Sequence, residues 1–185
     1  MDTRRPLVLS LAVMLVVVLV MGNPASGQES DGGFVAVEGC TGEVIELNGY
    51  EKRTLDLHNQ ARAENGLQPL CVHPVLTEGA RAHSQEMLNE GYFGHESFDG
   101  EPAEARLQRF GYTPEDYSYW SCGENIGWGT GRKGLPDERF GEWMGSPVHR
   151  EHILDEGFRE IGIGVRMGET YEQGAMYTVD FGTRL

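Results

Sequence analysis

Cysteine is scarce in this 185-residue chain, which holds only Cys40, Cys71 and Cys122. None belongs to a C-x-x-C pair, so nothing points to a zinc site built on thiolates. Basic residues are also few. Fifteen Lys and Arg stand against 29 Asp and Glu, a formal net charge of −14. A surface of that sign repels phosphate backbones and anionic membranes, so nucleic acid and such membranes are not expected partners. Catalytic signatures are missing as well. There is no G-x-S-x-G, no G-x-x-x-x-G-K-[ST], and no papain-like surround at Cys122. Neither internal repeats nor low-complexity tracts occur.

One apolar run stands out, "LVLSLAVMLVVVLVM" from Leu7 to Met21. It is shorter than the roughly 20 residues that span a bilayer. Arg4 and Arg5 precede it and the small residues Ala25–Gly27 follow. Residues 1–27 therefore read as a Sec signal peptide and the protein as secreted. No cysteine lies near the cleavage position, which argues against lipid attachment. Residues 28–39 read as a flexible leader, and residues 40–185 as one domain. A monomer is expected. An exported chain can oxidise its cysteines, giving one disulfide and a spare thiol, with three pairings open. Cys40–Cys71 is favoured because it would tie a segment with little core of its own to the domain. The chain-entropy model gives such a bridge about 3–4 kcal/mol.

The periodicity predicts helices first and strands last. "GYEKRTLDLHNQARAENGL" places Leu55, His58, Ala61 and Arg62 on one face and stops at Gly66. "HPVLTEGARAHSQEMLNEGYF" is a second helix, with Pro74 in its first turn, Leu76, Ala80, His83, Met87 and Leu88 at helical spacing, and Gly91 at its end. "GEPAEARLQRFGY" is a short third helix between Pro102 and Gly111. "YSYWSCGENIGWGTGRKG" reads as a loop or short strand, and "LPDERFGEWMGS" as a fourth helix that Pro147 ends or bends. "REIGIGVRMG" and "AMYTVDFG" alternate with period two, and the loop between them makes an antiparallel hairpin. The order suggests an α+β domain with helices packed on an antiparallel sheet.

Near the C-terminus "WMGSPVHREHIL" carries His149 and His152 three residues apart. A zincin needs H-E-x-x-H, and the inverted motif H-x-x-E-H needs one residue more than "HREH" offers. The pair is therefore read as polar residues at a helix end. His95 in "YFGHESFDG" and Glu124 in "CGENIGWG" sit in Gly-rich segments beside aromatics, where scaffolds often carry function. His83 on an apolar face reads as a packed core histidine. His58 reads as structural, and His73 sits at a helix entrance.

Taken in order, "LDLHNQAR", "GHES", "GENI", "WMGSPVHR" and "MYTVDFG" resemble the CAP superfamily of cysteine-rich secretory proteins, antigen 5 and pathogenesis-related proteins, also called the SCP domain. The pattern is similar to the secreted bacterial branch and covers about residues 51–182. The resemblance implies an α-β-α sandwich with a central antiparallel sheet. It also implies a surface cavity with two histidines and two acids that in some members hold a divalent metal such as zinc. His95 matches the first histidine and Glu124 an acid. Ser146 stands where eukaryotic relatives carry the other acid, and Met176 where they carry the second histidine. Bacterial relatives often read W-M-x-S-P-x-H-R-x-N-I-L. His149 matches the histidine of that pattern and is expected to face the cavity with Ser146. His152 replaces its Asn and is expected to make local hydrogen bonds.

Three functions follow from the resemblance and the residues together. The first is a secreted module binding a small apolar ligand, a lipid, a cell-wall component or a protein partner around His95, Glu124 and His149. The second is a metal-assisted hydrolase or peptidase, in which His95 and His149 hold zinc and Glu124 acts as general base. The third is a structural secreted domain whose polar cluster only stabilises the fold.

Overall fold

The computed structural model describes residues 33–168 and 174–185. The expected signal peptide and residues 169–173 of the hairpin loop lie outside them. The first element is a two-stranded antiparallel ribbon of β1 (Phe34–Glu38) and β2 (Val44–Asn48). This corrects the expected leader: residues 34–38 are paired strand. Its alternation is weak because β1 packs little apolar surface, so period alone did not reveal it.

The helix α1 (Gly49–Glu64) follows at once. Asn48 caps it, accepting from the Glu51 amide at 2.9 Å while Glu51 accepts from the Asn48 amide at 3.0 Å. A two-residue strand β3 (Cys71–Val72) leads to α2 (Pro74–Glu90), which ends at Gly91 with φ 70°. The short α3 (Ala103–Phe110) ends at Gly111 with φ 105°. Next comes β4 (Trp120–Gly129), ten residues long and paired throughout with β6. The expected loop or short strand is thus a full strand. Its glycines hid the alternation. A 3-10 turn (Gly131–Gly134), α4 (Pro136–Gly145), α5 (Pro147–Leu154), β5 (Glu160–Gly168) and β6 (Gly174–Arg184) complete the chain. Pro147 both ends α4 and opens α5, its missing N–H falling where a helix has no use for one.

The main sheet runs β3-β5-β6-β4 and is antiparallel except where β3 lies parallel to β5. Its two faces are built differently. Ile161, Ile163, Val165, Ala175, Tyr177, Val179 and Phe181 point to one side and meet Leu55 of α1, Trp143 of α4 and Ile153 of α5. The alternate residues of β5 include Gly162 and Gly164, and on that side α2 lies on the sheet. A Cβ at Gly162 would overlap the backbone of Leu76 and Thr77. One at Gly164 would overlap the backbone of Ala80 and Arg81. The helix can approach this closely only because both positions lack a side chain. The result is an α-β-α sandwich, with α2 and α3 on one face and α1, α4 and α5 on the other.

Cys40 and Cys71 form the disulfide, with Cα atoms 5.1 Å apart across a separation of 31 residues. It fastens the ribbon's turn to β3. Replacing both cysteines with alanine is expected to lower the unfolding free energy by about 3–4 kcal/mol in chemical denaturation. Cys122 is the free thiol, and burial pushes its pKa up to about 12, so it is a packing residue rather than a nucleophile.

His58 is fully buried in the main core. Its Nδ1 donates to the Thr54 carbonyl at 2.8 Å, and its ring meets the edges of Phe140 and Trp143. Burial depresses its pKa to about 4. The unfolded chain then takes up the proton first, so this contribution is intact above about pH 6.5 and is lost as pH falls toward 4. Over that window it amounts to about 3 kcal/mol. Urea unfolding at pH 7 and pH 4 should show a fall in stability that is smaller by about this amount in His58→Gln.

Candidate functional site

Three segments converge at one edge of the sheet. The loop after α2 brings His95, β4 brings Glu124 and Asn125, and the α4–α5 break brings Ser146 and His149. Glu124 points to the α2 face, where its side chain is only 4% exposed. Its Oε1 lies 2.7 Å from Nδ1 of His95, and its Oε2 accepts from the Arg106 guanidinium. Arg106, itself buried, also donates to the His95 carbonyl at 3.0 Å and to Ser97 Oγ at 3.2 Å. One arginine from α3 thus fixes both the carboxylate and the loop that carries the histidine.

A carboxylate beside a guanidinium only accepts, so the His95 Nδ1 carries the hydrogen and its Nε2 is left as an acceptor. The hydrogen bond to Glu124 raises the His95 pKa, outweighing partial burial. The ring stays 57% exposed. Asp180 is the cross-strand neighbour of Glu124 and is fully buried. Burial, and after it the negative charge of Glu124, push its pKa well above the usual carboxylate range. Burial thus disfavours its charged form, beside the buried ion pair of Glu124 and Arg106.

His149 hydrogen-bonds through Nδ1 to Ser146 Oγ at 2.8 Å. Burial, then the neighbouring His95 and His152, lower its pKa. Asn125 clamps α5 to β4 by donating to the His149 carbonyl at 3.0 Å and by bonding His152 Nδ1 through Oδ1 at 2.8 Å. His152 therefore hydrogen-bonds, but to Asn125 across to β4 rather than locally as expected.

A cleft of about 600 Å3 opens between these segments, walled by Phe93, His95, Trp128, Glu142, Ser146 and His149. Of the residues singled out by sequence, His95, Ser146 and His149 reach it. Glu124 does not line it and stands behind His95. His149 bonds Ser146 rather than His95 or Glu124. Glu142 enters from α4, held at 2.7 Å by Arg139, whose stem lies flat where a side chain at Gly127 would sit.

The donor set does not fit a catalytic zinc. Both Glu124 oxygens are taken, and His95 and His149 each commit Nδ1 to a protein partner. That leaves two imidazole nitrogens and the free oxygen of Glu142 on the cleft wall, and an open zinc site needs three protein ligands that converge. Among the described residues no group of three His, Cys, Asp or Glu side chains converges to hold a metal. Glu124 as a general base toward bound water fails for the same reason.

A sequence model of the cysteine-rich secretory protein family, CAP, matches residues 55–181. The chain belongs to that family. It is 37% identical over 136 residues to the uncharacterized protein YkwD of Bacillus subtilis (strain 168), covering 73% of this chain and 48% of YkwD. It is 30% identical over 115 residues to the uncharacterized membrane protein YlbC of the same strain, covering 62% of this chain and 31% of YlbC. The chain thus spans about half or less of the length of these relatives. Among solved structures it resembles an outer surface protein from Borrelia burgdorferi, with TM-score 0.61 and 17% identity over 72% of this chain and 92% of that one. It also resembles an extracellular protein containing a SCP domain from Bacillus anthracis str. Ames, with TM-score 0.58 and 26% identity over 72% of this chain and 40% of that one. Among the described residues of this CAP domain, no helix is long and apolar enough to cross a membrane.

Arg106, Glu142, Phe93 and Trp128 are the site residues that sequence reasoning missed. A buried arginine in a short amphipathic helix looks like any surface arginine. Glu142 sits just before the helix tryptophan and carries no spacing signal. The two aromatics were visible only as members of Gly-rich stretches.

Proposed function

We propose that this CAP domain is a secreted ligand-binding module whose site is the cleft between His95 and the α4–α5 break. One observation carries the reading: Glu124 is sealed behind His95 with both oxygens occupied. The buried charge serves to hold one imidazole in a fixed tautomer at the cleft wall. This arrangement suits recognition, because fixed polar groups in a concave site orient a ligand with little reorganisation. Export is supported by the apolar stretch at Leu7–Met21 and by the extracellular SCP protein that the chain resembles.

Protein-observed NMR with a set of small neutral, acidic, basic and apolar fragments tests this reading. Shift changes should cluster on Phe93, His95, Ser146 and His149. Changes scattered over the surface, or none from any fragment, contradict it.

A further inference from the structure

We infer that the cleft takes a neutral, hydroxyl-rich sugar, with one ring lying against the rim formed by Phe93 and Trp128; this rests on the binding reading above. The polar groups that the protein has already used limit what a ligand can meet. Arg139 and Trp143 line the cleft, yet they donate to their own chain. Arg139 gives Nη1 to Glu142 at 2.7 Å and Nη2 to the Lys133 carbonyl at 3.0 Å, and Trp143 gives its indole N–H to the Ile126 carbonyl at 3.0 Å. Beside the second ring nitrogen of His149, two acceptors stay open toward a ligand. They are His95 Nε2 and the second oxygen of Glu142, which is 53% exposed and carries no hydrogen bond among the described residues. Ser146 adds a hydroxyl that can give or accept. A ligand that satisfies such a wall must bring several donors of its own.

Charge narrows the class. Glu142 and the net charge of −14 disfavour an anion. A cation would find Glu142 already paired with the Arg139 guanidinium at 2.7 Å. A wholly apolar molecule would strip water from His95, Glu142 and Ser146 and give nothing back, which is unfavourable. A neutral ligand with many hydroxyls remains. The rim supplies the other half of its recognition. Phe93 is 50% exposed and Trp128 44% exposed, and both line the cleft. Scattered exposed aromatics are ordinary, but two lining one cleft offer an apolar platform. A pyranose has an apolar C–H face and an equatorial fringe of hydroxyls, and these match the platform and the acceptors respectively.

Isothermal titration of the protein with cellotetraose and chitotetraose, beside acidic tetragalacturonate and basic tetraglucosamine, tests the inference. At least one neutral tetrasaccharide should bind with a Kd of about 1 mM or tighter, and more tightly than both charged ones. Trp128→Ala, Phe93→Ala and Glu142→Ala should each weaken binding by about tenfold. Their melting temperatures check that each remains folded, and any one folded variant suffices. Phe34→Ala, on β1 and away from the cleft lining, should bind as the parent does. Failure of both neutral sugars to bind at about 10 mM, tighter binding of a charged one, or undiminished binding by the folded variants overturns the inference. If fragments still map to the cleft while sugars do not bind, the sugar class falls and the binding module stands. If fragments miss the cleft too, both fall.

Discussion

Glu124→Ala is expected to lower the unfolding free energy by about 3–5 kcal/mol, a large share of the roughly 5–15 kcal/mol that a domain typically has. The loss comes less from the missing contact than from what remains. Arg106 is 1% exposed and would be left as a buried cation without its carboxylate. Asp180, its neighbour in the cluster, is fully buried, and burial disfavours the charge it would need to take over the pairing. Replacing both members of the pair, Glu124→Leu with Arg106→Leu, should recover part of the loss, because no unpaired charge is then stranded. Urea denaturation of the single and double variants measures this. A single variant losing less than about 1 kcal/mol would mean that the pair does not hold the site together.

Gly164→Val should be worse tolerated than most core substitutions. Overpacking usually costs about 1–3 kcal/mol when neighbouring side chains can move aside. Here the obstacle is the backbone of Ala80 and Arg81 in the middle of α2, so the helix itself must lift from the sheet. Ser84, one turn further along, would lose its bonds at 2.9 Å to the Gly164 carbonyl and the Thr178 hydroxyl. The expected loss is about 4 kcal/mol or more, with a variant found mainly in the insoluble fraction. Gly49→Ala, at a glycine whose added Cβ meets nothing within 4 Å, is the matched control and should stay within about 0.5 kcal/mol of the parent.

These two positions show where sequence reading succeeded and where it stopped. The strands β5 and β6 were legible because one face of each is apolar at every second position, from Ile161 to Val165 and from Ala175 to Phe181. The helices were legible from Leu55–His58–Arg62 and Leu76–Ala80–Met87 at helical spacing, and from Gly91 and Gly111 as stops. The strand β4 was not. "SCGENIGWG" interleaves glycines with polar residues, because one side of it faces the polar cluster and the other lies under α4 and α5. The ribbon β1–β2 was not legible either, since Phe34, Val35 and Val44 stay exposed and give no buried period.

The site was legible in its members and not in its wiring. His95, Ser146 and His149, each singled out from the sequence, line one cleft. That Glu124 faces inward, and is taken up by Arg106, depends on α3 packing beside α2 and β4. No spacing in the sequence records that packing. The same holds for Glu142, which Arg139 places, and for Asp180, whose burial follows from lying opposite Glu124 in the strand register.

The central claim is that Glu124 fixes the His95 ring with Nδ1 protonated and Nε2 turned to the cleft. Nitrogen-resolved NMR of the imidazoles across a pH titration tests it most directly. The account predicts the Nδ1–H tautomer for neutral His95 and a titration midpoint above the usual imidazole value. An Nε2–H tautomer, or a midpoint at or below that value, would contradict it.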